Sequence, residues 1–377
     1  MIALTLKVLN HILMKYGVNE VIMIDVYGTL GPSCQNEDTM SEMFALGMTG
    51  IRINLSHVML KDCENSIEMI KRAAFKAGKA PKILIDMQGP ELRIGDIDNP
   101  IALLSGERIV FVSSGSASGS SASGSSASDS SAYSNSASVS GGIALDQRII
   151  DALEPGREVL LDDGKILAEV ISRSDRNAEL KVTRGGVLSG RKSIAIVGKS
   201  VEMPPLTDKD IDNLKVAAEY GVTGVMQPFV RSAEDLKQLR AELDNNNGKE
   251  IKILAKIENL KGVENLESFF EYSDEIVIAR GDLGNAVPLW ELPRVQKDIA
   301  SRCRKHSMPF MVVTQMLSSM EHSKVPTRAE VSDIYNAVLD GAGSVMVTGE
   351  TAVGENPIEV IRYLSKTAEV ALNSLSE

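Results

Sequence analysis

Short apolar runs recur along the chain at Val21–Ile24, Gly50–Ile53, Ile83–Ile85, Thr223–Met226, Ile251–Leu254, Ile276–Ala279, Phe310–Val313 and Ser344–Val347. Each is too short for a helix and most are rich in β-branched residues, so each predicts a buried strand. Most are separated by one amphipathic helical pattern, at Glu64–Gly78, Asp208–Tyr220, Ala233–Leu243, Pro293–Lys305 and Arg328–Leu339. Strands alternating with helices predict the α/β class, and eight such units predict a (β/α)8 barrel of parallel strands closed by helices. The spacing is regular except between Ile85 and Thr223. There IVFV, EVLLDDGKILAEVIS and AELKVTRGGVL read as hairpins with glycine at the turns, a small β domain inserted after the third strand. The expected organisation is an amphipathic N-terminal helix over 1–17, a first barrel part over 18–94, the inserted β lid over 95–197 and the barrel remainder over 198–377.

Within the insertion, residues 113–142 read SSGSASGSSASGSSASDSSAYSNSASVSGG. This tract has almost nothing apolar to bury and predicts a disordered tether. The whole chain is 43% hydrophobic over 377 residues, enough for a sizeable core, and carries a net charge of −11. That acidity argues against nucleic acid and anionic membrane as partners, since both reward a basic surface. No run approaches a membrane span. Cys34, Cys63 and Cys303 lie far apart without metal-ligand spacing, which predicts packing thiols in a reduced, cytoplasmic setting.

In a barrel of this kind the functional face is the C-terminal end of the strands. Those ends carry Arg52, Asn54, Ser56 and His57; Asp86 and Gln88; Phe229 and Arg231; Lys256 and Glu258; Arg280 and Asp282; Thr314 and Gln315; Thr348 and Glu350. In KILAKIEN and IVIARGDLG, consecutive strands place Glu258 beside Asp282. Two carboxylates with open positions suit Mg²⁺ or Mn²⁺ completed by substrate oxygens. Lys256, two residues before Glu258, aims at the same ligand. Gly281 and Gly284 let backbone amides approach an anion. His11, His306 and His322 lack evident partners, and Trp290 at a helix start reads as a packing residue.

These residues also carry a resemblance. KIENLKGVENLESFFEYSDEIVIARGDLG, VVTQMLSSM and VPTRAEVSDIYNAVLDGAGSVMVTGETAVGENPIEVI look like the central signature of the pyruvate kinase family. GPS at 31–33, IRINLSH at 51–57 and IDMQGPELRIGD at 85–96 are similar to its earlier motifs. The resemblance implies phosphoryl transfer from phosphoenolpyruvate to ADP, giving pyruvate and ATP, with Mg²⁺ (or Mn²⁺) and K⁺. It implies that Glu258 and Asp282 hold the divalent ion, that Lys256 neutralises the phosphoryl group, and that amides near Gly281 and Asp282 take the substrate carboxylate. Thr314 would join the relay that protonates the enolate. Arg52, Asn54, His57, Arg93 and Lys192 would face the phosphates, while Asn54, Ser56, Asp86 and the carbonyl of Met87 would ligate K⁺.

The sequence departs from the family pattern at several points. Pro228 stands for a serine, Gln88 for a lysine and Val58 for a glycine, and the lid motif is altered around RKSIAIVG. A counterpart of the family's C-terminal regulatory domain is expected to be missing, and a homo-oligomer stays open. Two other readings also stay open. One is a degenerate homologue that binds a phosphorylated metabolite or a partner without efficient turnover. The other is a metal-dependent lyase acting on pyruvate enolate, against which the lid insertion and the Arg52, Asn54, Ser56 set argue.

Overall fold

The computed structural model describes residues 24–56, 58–114, 142–199 and 201–375. The expected helix over 1–17, most of the Ser-rich tract and His57 lie outside them. Eight parallel strands close a barrel: β1 (Asp25–Thr29), β2 (Gly50–Asn54) and β3 (Lys82–Asp86) before the insertion, and β12 (Gly224–Gln227), β13 (Lys252–Ile257), β14 (Glu275–Ala279), β15 (Phe310–Val313) and β16 (Ser344–Met346) after it. The hydrogen-bonded order around the barrel is β1, β16, β15, β14, β13, β12, β3, β2.

The period of two along each strand sorts the side chains. Tyr27, Leu84, Met226, Leu254, Val277, Met311 and Met346 fill the lumen as one buried cluster. Their neighbours Ile51, Ile83, Val225, Ile253, Ile276 and Val312 face outwards into the larger core beneath the helices. Met311 and Met346 are thus core residues, as their strand positions suggest, and the three cysteines are free and buried. The same alternation carries Arg52, Asp86, Lys256 and Glu258 above the apolar lumen layer. Arg52 is in register with Thr29 and Leu84, Asp86 with Asn54 and Met226, and Lys256 with Val277.

The first strand differs from expectation. The run Val21–Ile24 predicts it, yet β1 is Asp25–Thr29 and Ile24 only leads into it. Asp25 can open a strand because its carboxylate pairs with Lys82 at 2.5 Å across the barrel floor. Thr29 ends it, with its hydroxyl donating to the Val347 carbonyl at 2.9 Å.

The described residues of the insertion form two sheets. One has six strands in the order β11 (Ile194–Ile196), β7 (Glu158–Leu161), β8 (Ile166–Arg173), β9 (Asn177–Arg184), β5 (Arg108–Ser113) and β6 (Ile143–Leu145). The other pairs β10 (Gly186–Leu188) with β4 (Ile101–Leu103). They enclose a separate core that includes Phe111, Ile150, Val159 and Leu180. EVLLDDGKILAEVIS is a hairpin as expected. AELKVTRGGVL is not: β10 leaves β9 and joins β4, because Gly185 allows a close approach in which any Cβ would sit 2.3 Å from the Leu103 carbonyl oxygen.

Candidate active site

At the mouth of the barrel five charged side chains meet. Arg52 donates from Nε to Asp86 Oδ2 at 2.8 Å and pairs with it through its terminal nitrogen at 2.7 Å. Lys256 Nζ lies 3.2 Å from Asp86 and 2.9 Å from Glu258 Oε1. The other oxygen of Glu258 accepts the Phe229 amide at 2.8 Å. Asp282 follows on the next strand exit, close enough for its carboxyl to repel that of Glu258, and both line one cavity.

Burial disfavours the charges of Asp86, Lys256, Glu258 and Asp282, and neighbours decide which of them keep one. Burial alone would raise Asp86, but Lys256 and Arg52 outweigh it and hold the carboxyl below the usual range. Burial pulls Lys256 down, whereas Asp86 and Glu258 more than restore it, so the ammonium is held above the ordinary lysine value. Glu258 is raised by burial, with Asp282 and Asp86 adding repulsion that Lys256 only partly offsets. Asp282 is raised by burial too, with repulsion from Glu91 and Asp163. The result is a cationic Lys256 beside an under-compensated pair of acids.

That pair fits a divalent cation. Both groups are hard oxygen donors, both are destabilised as anions, and Mg²⁺ commonly takes one or two carboxylates with substrate oxygens and water. Among the described residues no group of three or more acidic, His or Cys side chains forms a full cage. A cavity of about 380 Å³ opens beside the pair, lined by Glu258, Asp282, Phe229 and Arg231 of the barrel and by Leu160, Asp163 and Ser193 of the insertion.

After β14 the chain does not loop, as the polar residues suggest, but enters the helix Arg280–Ala286 at once. Gly281 keeps that turn close to the neighbouring strand end: a Cβ would stand 3.1 Å from Thr314 Cγ2, a tight contact. Thr314 and Gln315 themselves adopt φ of 79° and 56°. A β-branched residue in that region is strained, a feature that collects at functional sites. Arg280 holds the strained turn. It donates to the Thr314 carbonyl at 2.7 Å and pairs with Asp333 at 2.7 Å, and it is not among the residues that line the cavity.

The structure does not bring all candidates together. Arg93 is bound by Glu91 at 2.6 Å and donates to the Arg191 carbonyl at 2.8 Å. Lys192 pairs with Asp162 at 2.8 Å. Both sit where the insertion leaves and rejoins the barrel, each held by its own acid, and Glu91 lines the same cavity as Glu258 and Asp282. Of the expected K⁺ ligands, Asn54 Oδ1 already accepts the Ser56 amide at 3.1 Å, and both oxygens of Asp86 are engaged by cations. The donor set is of the right hardness, but its charge is already matched. Glu350 is buried and accepts the Thr348 amide at 2.7 Å, a support for the loops after β15 and β16.

Other expectations need correction. Trp290 is 83% exposed and does not pack. His306 stacks tilted on Phe270 at 5.3 Å, and His322 meets Glu355 at 3.2 Å, so neither lacks a partner. Thr29 was missed: its hydroxyl accepts from Arg52 at 3.3 Å, and a first strand placed four residues early hides it from the strand-end residues.

The family model described as pyruvate kinase, barrel domain, matches residues 23–361. A pyruvate kinase of Bacillus licheniformis is 34% identical over 351 residues, covering 92% of this chain and 57% of that protein. One from Aeropyrum pernix is 33% identical over 354 residues, covering 94% of this chain and 72% of that one. One from Schizosaccharomyces pombe is 34% identical over 353 residues, covering 92% and 66%. The chain thus spans little more than half the length of the Bacillus relative.

Proposed function

The chain belongs to the pyruvate kinase family, and we propose that it catalyses phosphoryl transfer from phosphoenolpyruvate to ADP, giving pyruvate and ATP in the cytoplasm. The observation that carries this reading is the buried Lys256 between Asp86 and Glu258, beside the Glu258 and Asp282 pair. Phosphoryl transfer asks for positioned charge more than for covalent chemistry. Lys256, cationic despite its burial, neutralises the phosphoryl oxygens in flight. Glu258 and Asp282 hold Mg²⁺ (or Mn²⁺), which when bound supplies electrophilic charge to the substrate oxygens. Amides of Gly281 and Asp282 receive the substrate carboxylate, and Thr314, fixed by Arg280, positions the group that protonates the enolate.

Arg52 stabilises the transferred charge while its pairing with Asp86 fixes its orientation. Asn54, His57, Arg93 and Lys192 serve the nucleotide phosphates. For Arg93 and Lys192 this requires exchanging Glu91 and Asp162 for phosphate, a change that movement of the insertion over the cavity would allow. Asn54, Ser56, Asp86 and the Met87 carbonyl would offer K⁺ hard oxygens, with Asp86 shared with Arg52 and Lys256. The insertion over 95–197 acts as the lid, a reading supported by the cavity it shares with the barrel. The test is pyruvate formation from phosphoenolpyruvate and ADP with Mg²⁺ and K⁺, coupled to lactate dehydrogenase. Turnover that depends on both substrates is expected; no pyruvate from a folded protein that binds Mn²⁺ would overturn the reading.

A further inference from the structure

The segment Pro228–Arg231 leaves β12 and touches two regions at once. On one side the Phe229 amide donates to Glu258 Oε2 at 2.8 Å. On the other, Arg231, whose side chain is 11% exposed, donates from its guanidinium to the Met203 carbonyl at 2.5 Å. Residue 203 lies in the irregular stretch returning from the insertion to the barrel. Asp235 fixes the arginine from behind, accepting from its backbone amide at 2.9 Å and its Nε at 3.4 Å. The segment's own carbonyls are pinned as well, Val230 by Asn259 at 3.3 Å and Arg231 by Asn265 at 2.7 Å. Phe229 is held at φ 52°, a conformation its neighbours must impose.

A four-residue piece held between the stretch returning from the insertion and a carboxylate can pass a displacement from one to the other, because each of its ends has a specific partner and its middle is pinned. We infer that Arg231 is a positioning residue that couples the hinge of the insertion to the orientation of Glu258, so that the position of the insertion tunes divalent-cation binding. This rests on the reading of Glu258 as a divalent-cation ligand. Reciprocity follows: whatever hinge position favours the cation is itself favoured when the cation binds.

A second hinge contact offers a control. Lys261 pairs with Glu202 at 2.7 Å, but both side chains are largely exposed and the contact bypasses the Phe229 amide. Mn²⁺ binding to the full chain, followed by electron paramagnetic resonance, separates the two. Arg231→Met is expected to weaken Mn²⁺ about three- to tenfold and to raise KM for phosphoenolpyruvate more than it lowers kcat, a change of about 0.7–1.4 kcal/mol. Arg231→Lys, which can still donate to the Met203 carbonyl, should recover part of the loss, and Glu202→Ala should change Mn²⁺ affinity less than about twofold. If Arg231→Met does not fold, Arg231→Lys alone must still weaken Mn²⁺ by about twofold or more for the inference to stand. Unchanged affinity in the arginine variants, or an equal loss in Glu202→Ala, overturns the coupling and leaves the metal assignment intact. Failure of the unmutated chain to bind Mn²⁺ overturns the metal assignment and the coupling with it.

Discussion

Glu275 opens β14 at the floor of the barrel and Glu258 directly follows the adjacent β13 at its mouth, and burial raises the carboxyl of each. At the floor the Ser344 hydroxyl donates to Glu275, Lys82 matches Asp25, and the neighbouring Asp274 accepts the Ile253 amide at 2.8 Å. Burial and Asp25 push Glu275 up to about 7 against the hydrogen bond from Ser344. These acids start strands and tie them together. At the mouth Glu258 has Lys256 and the Phe229 amide, but it also has Asp282 beside it and a cavity in front. A raised carboxyl alone therefore does not mark a site. What separates the two ends is an acid pair left short of positive charge, next to a buried cation and with room for a ligand.

The contrast breaks hardest at Lys256. Lys256→Met should lower phosphoryl transfer by about a thousandfold or more, because the charge it supplies matters most where phosphoryl charge develops. Solvent-deuterium exchange into pyruvate, driven by Mg²⁺, should survive in part. Wild-type phosphoryl transfer in this variant would place the chemistry elsewhere. Next come the acids themselves: Glu258→Gln and Asp282→Asn should each weaken Mn²⁺ by roughly ten- to a hundredfold, a span typical of damaged metal sites. Unchanged binding in both would erase the distinction between mouth and floor.

The floor answers to stability instead. Glu275 has a folded value of about 7 against an ordinary 4.5. A raised acid contributes stability that is fully present below the unfolded value and is lost as pH rises through the folded one. Between pH 4.5 and 7 the parent should therefore lose stability, with an upper limit of roughly 3 kcal/mol. Glu275→Gln should remove the Glu275 share of that slope, leaving the part due to Glu258 and Asp282, and at pH 8 should be more stable than the parent by about 1–3 kcal/mol in urea unfolding, with activity unchanged. A parent whose midpoint does not move between pH 5 and 8 would show that Glu275 is solvated like a surface acid.

Much of this was legible because strands announce themselves by apolar runs and a barrel fixes which end is functional. KILAKIEN and IVIARGDLG place Glu258, Lys256 and Asp282 together from adjacency alone. What the pattern could not carry was direction. Arg280 belongs to the same strand end as Asp282, but it sits first in a helix and turns to Asp333. The pairing of β10 with β4 depends on a contact distant in sequence, and a period of two says nothing about which partner a strand takes. The first strand was displaced because Val21–Ile24 is more apolar than Asp25–Thr29. A salt bridge to Lys82 is invisible to a local reading, and its loss hides Thr29.

The smallest expected effect lies at Pro228, on the segment that presents the Phe229 amide to Glu258. Its ring packs on Gly89, where a Cβ would sit 2.2 Å from Pro228 Cγ, and it offers neither a hydroxyl nor an N–H to the mouth. Pro228→Ser adds both. A hydrogen bond to a charged phosphoryl oxygen contributes about 1.5–3 kcal/mol. Against it stand the lost contact with Gly89 and the extra freedom of the unfolded chain, the latter worth about 0.4–1 kcal/mol in stability. Turnover should therefore rise about tenfold or more while the melting temperature falls slightly. A rise in kcat/KM with unchanged Mn²⁺ affinity would place the new hydroxyl on the substrate and not on the metal. A folded variant with unaltered kinetics would show that the mouth already has all the donors it uses, and that its difference from the floor lies in charge alone.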